Sequence, residues 1–303
     1  MRLRDIFAIL LIVVVAIGGK VYRGGMENPP PDRRPDPRRL EQLSRPPPET
    51  PQDAGRALPP PSAADPSIFV EIGEKKQNAV GTAFSLSRAG IWITARHVTE
   101  GCDLVALERG NGKLIRVSRV AQQSFADISI LWTRGGTAAL PVADPPLAAG
   151  EDGYSFGFPH GRPGDLYGQV LGRGRLIARG RYQSEEPVIA WTQVRRIPDE
   201  GADLGGISGG PWVNRNGDVI GVHVAGAPRR GRSYSTTPQA ILAAVANNGV
   251  RPAPDREALP QNSELNPGSF ERYGDALRGR ETVSKVICLV GEKWRRIAAE
   301  SPR

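Results

Sequence analysis

The hydrophobic residues of this chain fall mostly into short runs separated by Gly, Asn and Asp. Runs of this length, bounded by turn residues, are typical of β-strands. The runs are residues 68–70, 81–84, 91–93, 104–107, 128–131, 153–156, 188–191 and 219–222. Strands at this spacing predict an all-β barrel or sandwich.

One segment near the end of these runs has the features of a helix instead. Ala, Ile, Leu and Val fill most of residues 239–246. Thr237 is suited to the N-cap, Pro238 to the first turn, and Gly249 to the end of the helix. The sequence therefore predicts a helix after the last of these strands.

The first 22 residues form a distinct N-terminal segment. Arg2 and Arg4 precede residues 6–17, which carry no polar side chain, and Lys20 follows. This pattern is typical of a secretory signal peptide or a short signal-anchor. No small-x-small cleavage site precedes Lys20, which favours an anchor that is retained in the cell membrane, with the following domain on the extracytoplasmic side. The alternative is a cleaved signal and a secreted protein.

Residues 23–66 are predicted to be a disordered linker. Thirteen of the 28 prolines lie between residues 29 and 66, among Arg, Asp, Glu and Ser. Such a composition offers little apolar surface to bury and favours an extended chain. The folded domain is then expected over residues 67–250, followed by a C-terminal extension, 251–303, whose role the sequence does not indicate.

The charge and the cysteines limit the classes of partner. The formal net charge is +8, but the basic residues are dispersed and form no block interleaved with aromatic residues, so no nucleic-acid binding is expected. Cys102 and Cys288 are the only cysteines, too few for a structural zinc site. In an oxidising compartment they could form a disulfide, which would hold the C-terminal extension near His97. In the cytosol they would stay reduced.

A serine surrounded by glycines is the strongest chemical signal in the chain. Ser208 is flanked by Gly206, Gly209 and Gly210. Glycines allow a tight turn whose N–H groups can point at a substrate carbonyl. His97 and Asp127 lie upstream, and the order His, Asp, Ser is that of the chymotrypsin-type catalytic triad.

The same serine also fits the nucleophile elbow of α/β-hydrolases. That motif places the serine between a strand and a helix, with the acid and the histidine following it. Here Ser208 is followed by two β-type runs around Asn216 and Gly217, which predict a hairpin. The only later histidine, His223, lies inside the second run. The sequence therefore disfavours the hydrolase elbow.

Residues 80–246 resemble a trypsin-like serine peptidase of the chymotrypsin fold, in the style of the HtrA/Deg and glutamyl-endopeptidase branches. The matching segments are residues 81–84, 93–98, 126–131, 157–159, 206–211 and 220–223. The resemblance implies two six-stranded antiparallel β-barrels with the active site between them, a C-terminal helix and no cofactor.

The resemblance also implies a role for each site residue. His97 would act as the general base, Asp127 would orient it, and Ser208 would be the nucleophile. The N–H groups of Gly206 and Ser208 would form the oxyanion hole. Asp103 is the competing candidate for the acid. The predicted function is a serine endopeptidase acting on proteins or peptides; the alternative is a membrane-tethered peptidase fold used as a non-catalytic binding module.

Two departures from the family limit what carries over. Chymotrypsin-type zymogens have an Asp immediately before the serine, where this chain has Ile207. Activation by N-terminal cleavage is therefore not expected. Residues 251–303 are too few and too rich in proline for the PDZ-like module of HtrA proteins.

The resemblance also points to residues of the primary specificity pocket. His223 and Ala225 lie on the strand expected to form one wall, and Asp203 falls on the opposite wall. A histidine here could bind a substrate Glu or Gln side chain, or it could simply complete the strand. The Asp203 carboxylate would repel Glu and attract Lys or Arg. Together they would make a polar pocket that prefers Gln or small polar residues.

Overall fold

The computed structural model describes residues 55–110, 112–199, 204–227, 230–256, 259–260 and 265–300. The predicted N-terminal signal or anchor and most of the proline-rich linker lie outside these residues. Within the described part of the chain, no helix is both long and apolar enough to cross a membrane.

Six strands form a first closed barrel, and each strand is antiparallel to its neighbours. Their order around the barrel is β13-β2-β3-β6-β5-β4. The strands are β2 (Ala79–Ser87), β3 (Ile91–Thr94), β4 (Leu104–Glu108), β5 (Leu114–Gln122), β6 (Ser129–Thr133) and β13 (Val283–Leu289). Five of the six are therefore close in sequence, and the sixth comes from near the C-terminus.

Strand β13 closes this barrel from the C-terminal extension. Val286 pairs with Gly81 of β2 on one side and with Leu107 of β4 on the other. Its side chain is fully buried, as is that of Cys288. Cys288 forms a disulfide with Cys102, which confirms the predicted pairing. A domain boundary at residue 250 therefore does not match the structure, because the barrel core includes a strand beyond it.

The second sheet has seven strands in the order β1-β8-β7-β10-β11-β12-β9, and β8 also pairs with β9. This extra pairing closes β7 to β12 into a six-stranded antiparallel ring, while β1 lies parallel to β8 outside the ring. The strands are β1 (Ser67–Ile72), β7 (Asp152–Gly157), β8 (Gly164–Gly180), β9 (Ser184–Ile197), β10 (Pro211–Val213), β11 (Val219–Ala227) and β12 (Arg232–Thr236). The predicted all-β fold of two six-stranded barrels is confirmed.

The helices are short and lie around the barrels. The predicted helix is α2 (Pro238–Asn247), and the Thr237 hydroxyl caps it by accepting a hydrogen bond from the Ala240 amide at 3.3 Å. The others are α1 (Arg96–Thr99), α3 (Phe270–Gly279) and α4 (Glu292–Glu300).

Helix α3 fixes the C-terminal extension to the second barrel as well. Arg278 donates to both carboxylate oxygens of Asp165 on β8, at 2.5 and 3.0 Å. Burial raises the pKa of Asp165 to about 6, although the Arg278 guanidinium opposes this shift. Phe270 packs against Tyr154 and Tyr167 of the barrel core. The extension thus contacts both barrels.

An apolar cluster joins the two barrels. It includes Ala95 and Val98 from the first barrel and Leu176, Val188 and Val224 from the second. All five side chains are buried. This shared core fixes α1, which carries His97, relative to strand β11.

Candidate active site

Helix α1 is a single turn that carries His97, and a half-buried lysine, Lys76, donates to its backbone. The Lys76 ammonium donates to the carbonyl oxygens of His97 at 2.7 Å and Val98 at 2.9 Å. These carbonyls would otherwise lack partners at the end of so short a helix. Burial, followed by the nearby charge of Arg181, lowers the pKa of Lys76 to about 8.

Asp127 contacts His97 through both oxygens of its carboxylate. One oxygen accepts a hydrogen bond from the His97 amide at 2.8 Å, and the other lies 2.6 Å from the imidazole Nδ1. Burial opposes ionisation of this group, but the charge and hydrogen bonds of His97 bring the pKa of Asp127 below its usual value. Because an ionised carboxylate can only accept, Nδ1 must carry the proton and Nε2 is left as the basic nitrogen.

The loop before β10 carries Ser208 and packs against the first barrel. Gly209 has a φ of +90°, and a side chain there would collide with the Thr82 carbonyl and the Thr94 hydroxyl. The Thr82 amide donates to the Ser208 carbonyl at 2.8 Å. These contacts set Ser208 beside the end of β3, two residues before α1. Within the part of the chain that the structure describes, no hydrogen bond joins the Ser208 hydroxyl to His97.

Two carbonyl groups of the same loop accept hydrogen bonds. Gly205 O accepts from the His160 amide at 2.6 Å, and Gly206 O accepts from the Thr82 hydroxyl at 2.8 Å. The amides of Gly206 and Ser208 donate to no other group among the described residues. Two N–H groups are thus left available at this loop. The sequence offered no signal for the parts played by the Thr82 hydroxyl and the His160 amide.

His223 of β11 is buried, with 1% of its surface exposed. Its ring stacks on Trp212 with centroids 6.1 Å apart, and its Nδ1 accepts from the indole N–H at 3.3 Å. Burial, together with the charge of His97, lowers the pKa of His223 to about 3. The imidazole is therefore neutral at physiological pH.

Of the other two predicted pocket residues, the structure describes only Ala225. Ala225 lines a groove of about 730 Å³ together with Phe69, Arg232 and Tyr234. Asp203 lies outside the described residues.

The competing acid, Asp103, is held elsewhere. Its carboxylate accepts from the Gly291 amide at 2.8 Å and from Arg295 at 3.0 Å. The Gly291 hydrogen bond, followed by that of Arg295, lowers the pKa of Asp103. The structure therefore brings Asp127 to His97, and it brings Asp103 to the C-terminal extension.

Sequence and structure comparisons identify relatives of this fold. The family model of the trypsin-like peptidase domain matches residues 81–222. The chain is 29% identical over 156 residues to the "Putative serine protease HhoB" of Synechocystis sp., covering 50% of this chain and 36% of that protein. It is 24% identical over 167 residues to the "Probable periplasmic serine endoprotease DegP-like" of Pseudomonas savastanoi, covering 54% and 33%.

Among solved structures, the active form of the Rv3671c protease from M. tuberculosis aligns with a TM-score of 0.47 and 18% identity, over 66% of this chain and 97% of that one. The chain spans about a third of the length of the two relatives above. The domain assignment rests on the family match and on the two barrels themselves. Residues 81–222 are thus similar to the trypsin-like peptidase domain.

Proposed function

We propose that this chain is a serine endopeptidase in which His97, Asp127 and Ser208 act as the catalytic triad. The observation that carries the proposal is the double contact of the Asp127 carboxylate with His97, at 2.6 Å to Nδ1 and 2.8 Å from the amide. This geometry favours one tautomer and leaves Nε2 as a base, which is what a serine nucleophile requires.

The reaction follows from these roles. Ser208 Oγ attacks the peptide carbonyl while His97 Nε2 takes its proton and then delivers it to the leaving amine. Asp127 stabilises the imidazolium that forms. The amides of Gly206 and Ser208 donate to the oxyanion, and such a donor is worth about 2.7–4 kcal/mol in other enzymes. Water then attacks the acyl-enzyme, with His97 again acting as the base.

Hydrolysis of an unfolded protein substrate such as casein by the purified full-length chain tests this function. We expect peptide products from the wild type and none from Ser208→Ala. Asp103→Asn is a matched control for Asp127→Asn, and it should retain activity because Asp103 faces the C-terminal extension. A wild-type protein that binds casein without cleaving it would support the non-catalytic binding module instead.

For the primary specificity pocket, we propose a neutral His223. A buried histidine that accepts from Trp212 and has a pKa of about 3 offers no positive charge to a substrate Glu. A peptide library should therefore show Gln preferred over Glu at the cleaved position, at pH 6 and pH 8 alike. Strong preference for Phe or Leu would contradict a polar pocket. A preference for Arg that is lost in Asp203→Ala would assign the pocket to Asp203.

We further propose that the domain works outside the cytoplasm. A disulfide such as Cys102–Cys288 persists in oxidising compartments, and the DegP-like relative is described as periplasmic. Residues 6–22 would tether it to the membrane. Fractionation tests the tether: release of the active chain only by detergent supports it, whereas release by osmotic shock would indicate a cleaved signal.

A further inference from the structure

A second carboxyl group lies buried next to Asp127. Glu186 belongs to β9 of the second barrel, and 1% of its surface is exposed. Its Oε1 accepts a hydrogen bond from the Asp127 amide at 2.7 Å. Its Oε2 is buried and has no hydrogen-bond partner among the described residues. Neither the sequence pattern nor the proposed triad accounts for this residue.

The Asp127 amide needs an acceptor because its surroundings exclude water. Ala126 and Ile128, on either side, are 1% and 0% exposed. A buried amide without a partner costs about 1–3 kcal/mol. Glu186 supplies that partner from the opposite barrel, so it fixes the backbone of Asp127 relative to the barrel that carries Ser208.

The groups that face Glu186 favour its neutral form. The loop before β6 contributes the negatively charged Asp127, and the turn between β8 and β9 contributes Tyr182, whose hydroxyl donates to Asp127 at 3.4 Å. Arg96 of α1 stacks on the Tyr182 ring at 4.1 Å, but its guanidinium is paired with Glu100 at 3.0 Å. Burial, followed by the charge of Asp127, raises the pKa of Glu186 well above its usual value.

We propose that Glu186 is a positioning residue for the catalytic acid. As a neutral carboxyl group it accepts the Asp127 amide and holds the Asp127 carboxylate against His97, without adding a second negative charge beside that pair. This inference rests on the proposed function, because it assigns a role to Glu186 through Asp127.

Two substitutions of Glu186 separate its hydrogen bond from its charge. Glu186→Gln keeps an acceptor for the amide and carries no charge, so kcat and the acidic limb of the kcat/KM profile should stay within about twofold and 0.2 pH units of the wild type, roughly the precision of such profiles. Glu186→Leu removes the acceptor, so kcat should fall about tenfold with KM unchanged. Its acidic limb should also move to lower pH, because a displaced Asp127 stabilises the imidazolium less.

Glu185→Leu is the matched control, since Glu185 is the exposed neighbour of Glu186 on β9 and pairs with Arg175 of β8. It should leave both the rate and the pH profile unchanged. Wild-type kcat in Glu186→Leu would overturn the positioning role. An acidic limb that moves to lower pH in Glu186→Gln would overturn the neutral form, since it would mean that a negative charge had been removed.

The pH dependence of stability tests the neutral form without any activity measurement. Above its ordinary pKa of 4.5, Glu186 is ionised in the unfolded chain and still protonated in the folded one. The wild type therefore loses stability as pH rises through this range, whereas Glu186→Gln does not. The ratio of the two unfolding equilibrium constants should change in favour of the variant, by up to tenfold per pH unit, until Glu186 ionises in the folded state. A constant ratio between pH 5 and pH 8 would overturn the proposal.

These measurements also distinguish the two proposals from each other. If the wild type is inactive but loses stability relative to Glu186→Gln as pH rises, the peptidase function is refuted while the buried neutral acid stays in place. An active wild type whose Glu186→Leu variant keeps wild-type kcat would support the peptidase function and refute the positioning role of Glu186.

Discussion

The two barrels of this molecule close in different ways. The second barrel is built from β7 to β12, consecutive strands within residues 152–236. The first has five consecutive strands but needs β13, whose Val286 pairs with Gly81 more than 200 residues earlier. One barrel can therefore form from a local stretch of chain, whereas the other depends on the C-terminal extension.

The barrels also contribute different chemistry to the proposed site. The first supplies the side chains of His97 and Asp127, and the second supplies Ser208 with its backbone amides. Cys102 lies only five residues after His97 and forms a disulfide with Cys288 of β13. The position of the base therefore depends on the distant C-terminal strand, whereas the nucleophile loop depends on glycines and on a hairpin next to it in sequence.

Removing a proposed catalytic group from either barrel should give the largest effect. Ser208→Ala, His97→Ala and Asp127→Asn should each lower kcat by about 10⁴-fold or more, because the three groups act as a unit. Steady-state hydrolysis of one peptide substrate measures this, with thermal unfolding as a control for folding. Near-wild-type turnover by Asp127→Asn would show that Asp127 is not the acid.

Removing the disulfide should destabilise the first barrel selectively. The bridge closes a loop of 186 residues, so Cys102→Ala/Cys288→Ala should lower the free energy of unfolding by about 2–5 kcal/mol. Hydrogen exchange should quicken in β2, β4 and β13 and stay unchanged in β11 and β12. Equal acceleration in both barrels would contradict the asymmetry described above.

A smaller loss is expected from trimming the closing strand. Val286 is fully buried, and Val286→Ala should cost about 2 kcal/mol through lost packing. Val194→Ala, at a position 43% exposed on β9, is the control and should change stability by less than about 0.5 kcal/mol. Chemical denaturation measures both variants, and equal losses would refute a role for β13 in the core.

Substitution of Lys76 should give the smallest effect, a modest loss of kcat, and it tests how α1 is held in place. Lys76→Met removes two hydrogen bonds to carbonyls of that helix, so kcat should fall about threefold to tenfold, while the exposed neighbour Lys75→Met should change nothing.

The pH dependence of the same variant has a defined sign. Lys76 has a folded pKa of about 8 against 10.5 in the unfolded chain, so above pH 8 the folded state releases a proton that the unfolded state keeps. Stability relative to Lys76→Met should therefore rise between pH 8 and pH 10.5. Denaturation curves at pH 7.5 and 9.5 that give the same difference would contradict the lowered pKa of Lys76.

Much of the local structure was predictable because short sequence patterns indicate strands, turns and helix caps. Seven of the eight apolar runs lie entirely on strands, and the eighth does so except for Ile128, which precedes β6. The Asn216-Gly217 turn joins β10 to β11, and Thr237 caps α2. Strand β13 was not predicted, since its partners are far away in sequence and its apolar residues alone do not indicate a barrel. Residues 251–303 thus gave no sign that they complete the fold.

In the candidate site, the sequence predicted side chains better than it predicted backbone contacts. The order of His97, Asp127 and Ser208 predicted three site residues. The structure brings the first two into contact. Glu186 was missed because a glutamate within a strand ordinarily faces solvent, and only the packing of one barrel on the other buries it. The hydrogen bonds from the Thr82 hydroxyl and the His160 amide depend on loop geometry, which residue types do not specify.

The central claim is that groups from the first barrel activate Ser208 of the second, and labelling with a fluorophosphonate probe tests it most directly. The full-length wild type should be modified at Ser208 alone, as mapped by peptide mass spectrometry. Ser208→Ala should take up no label, and His97→Ala should react at least about 10³-fold more slowly. Absence of labelling in the folded wild type, or equal labelling of wild type and His97→Ala, would contradict the account.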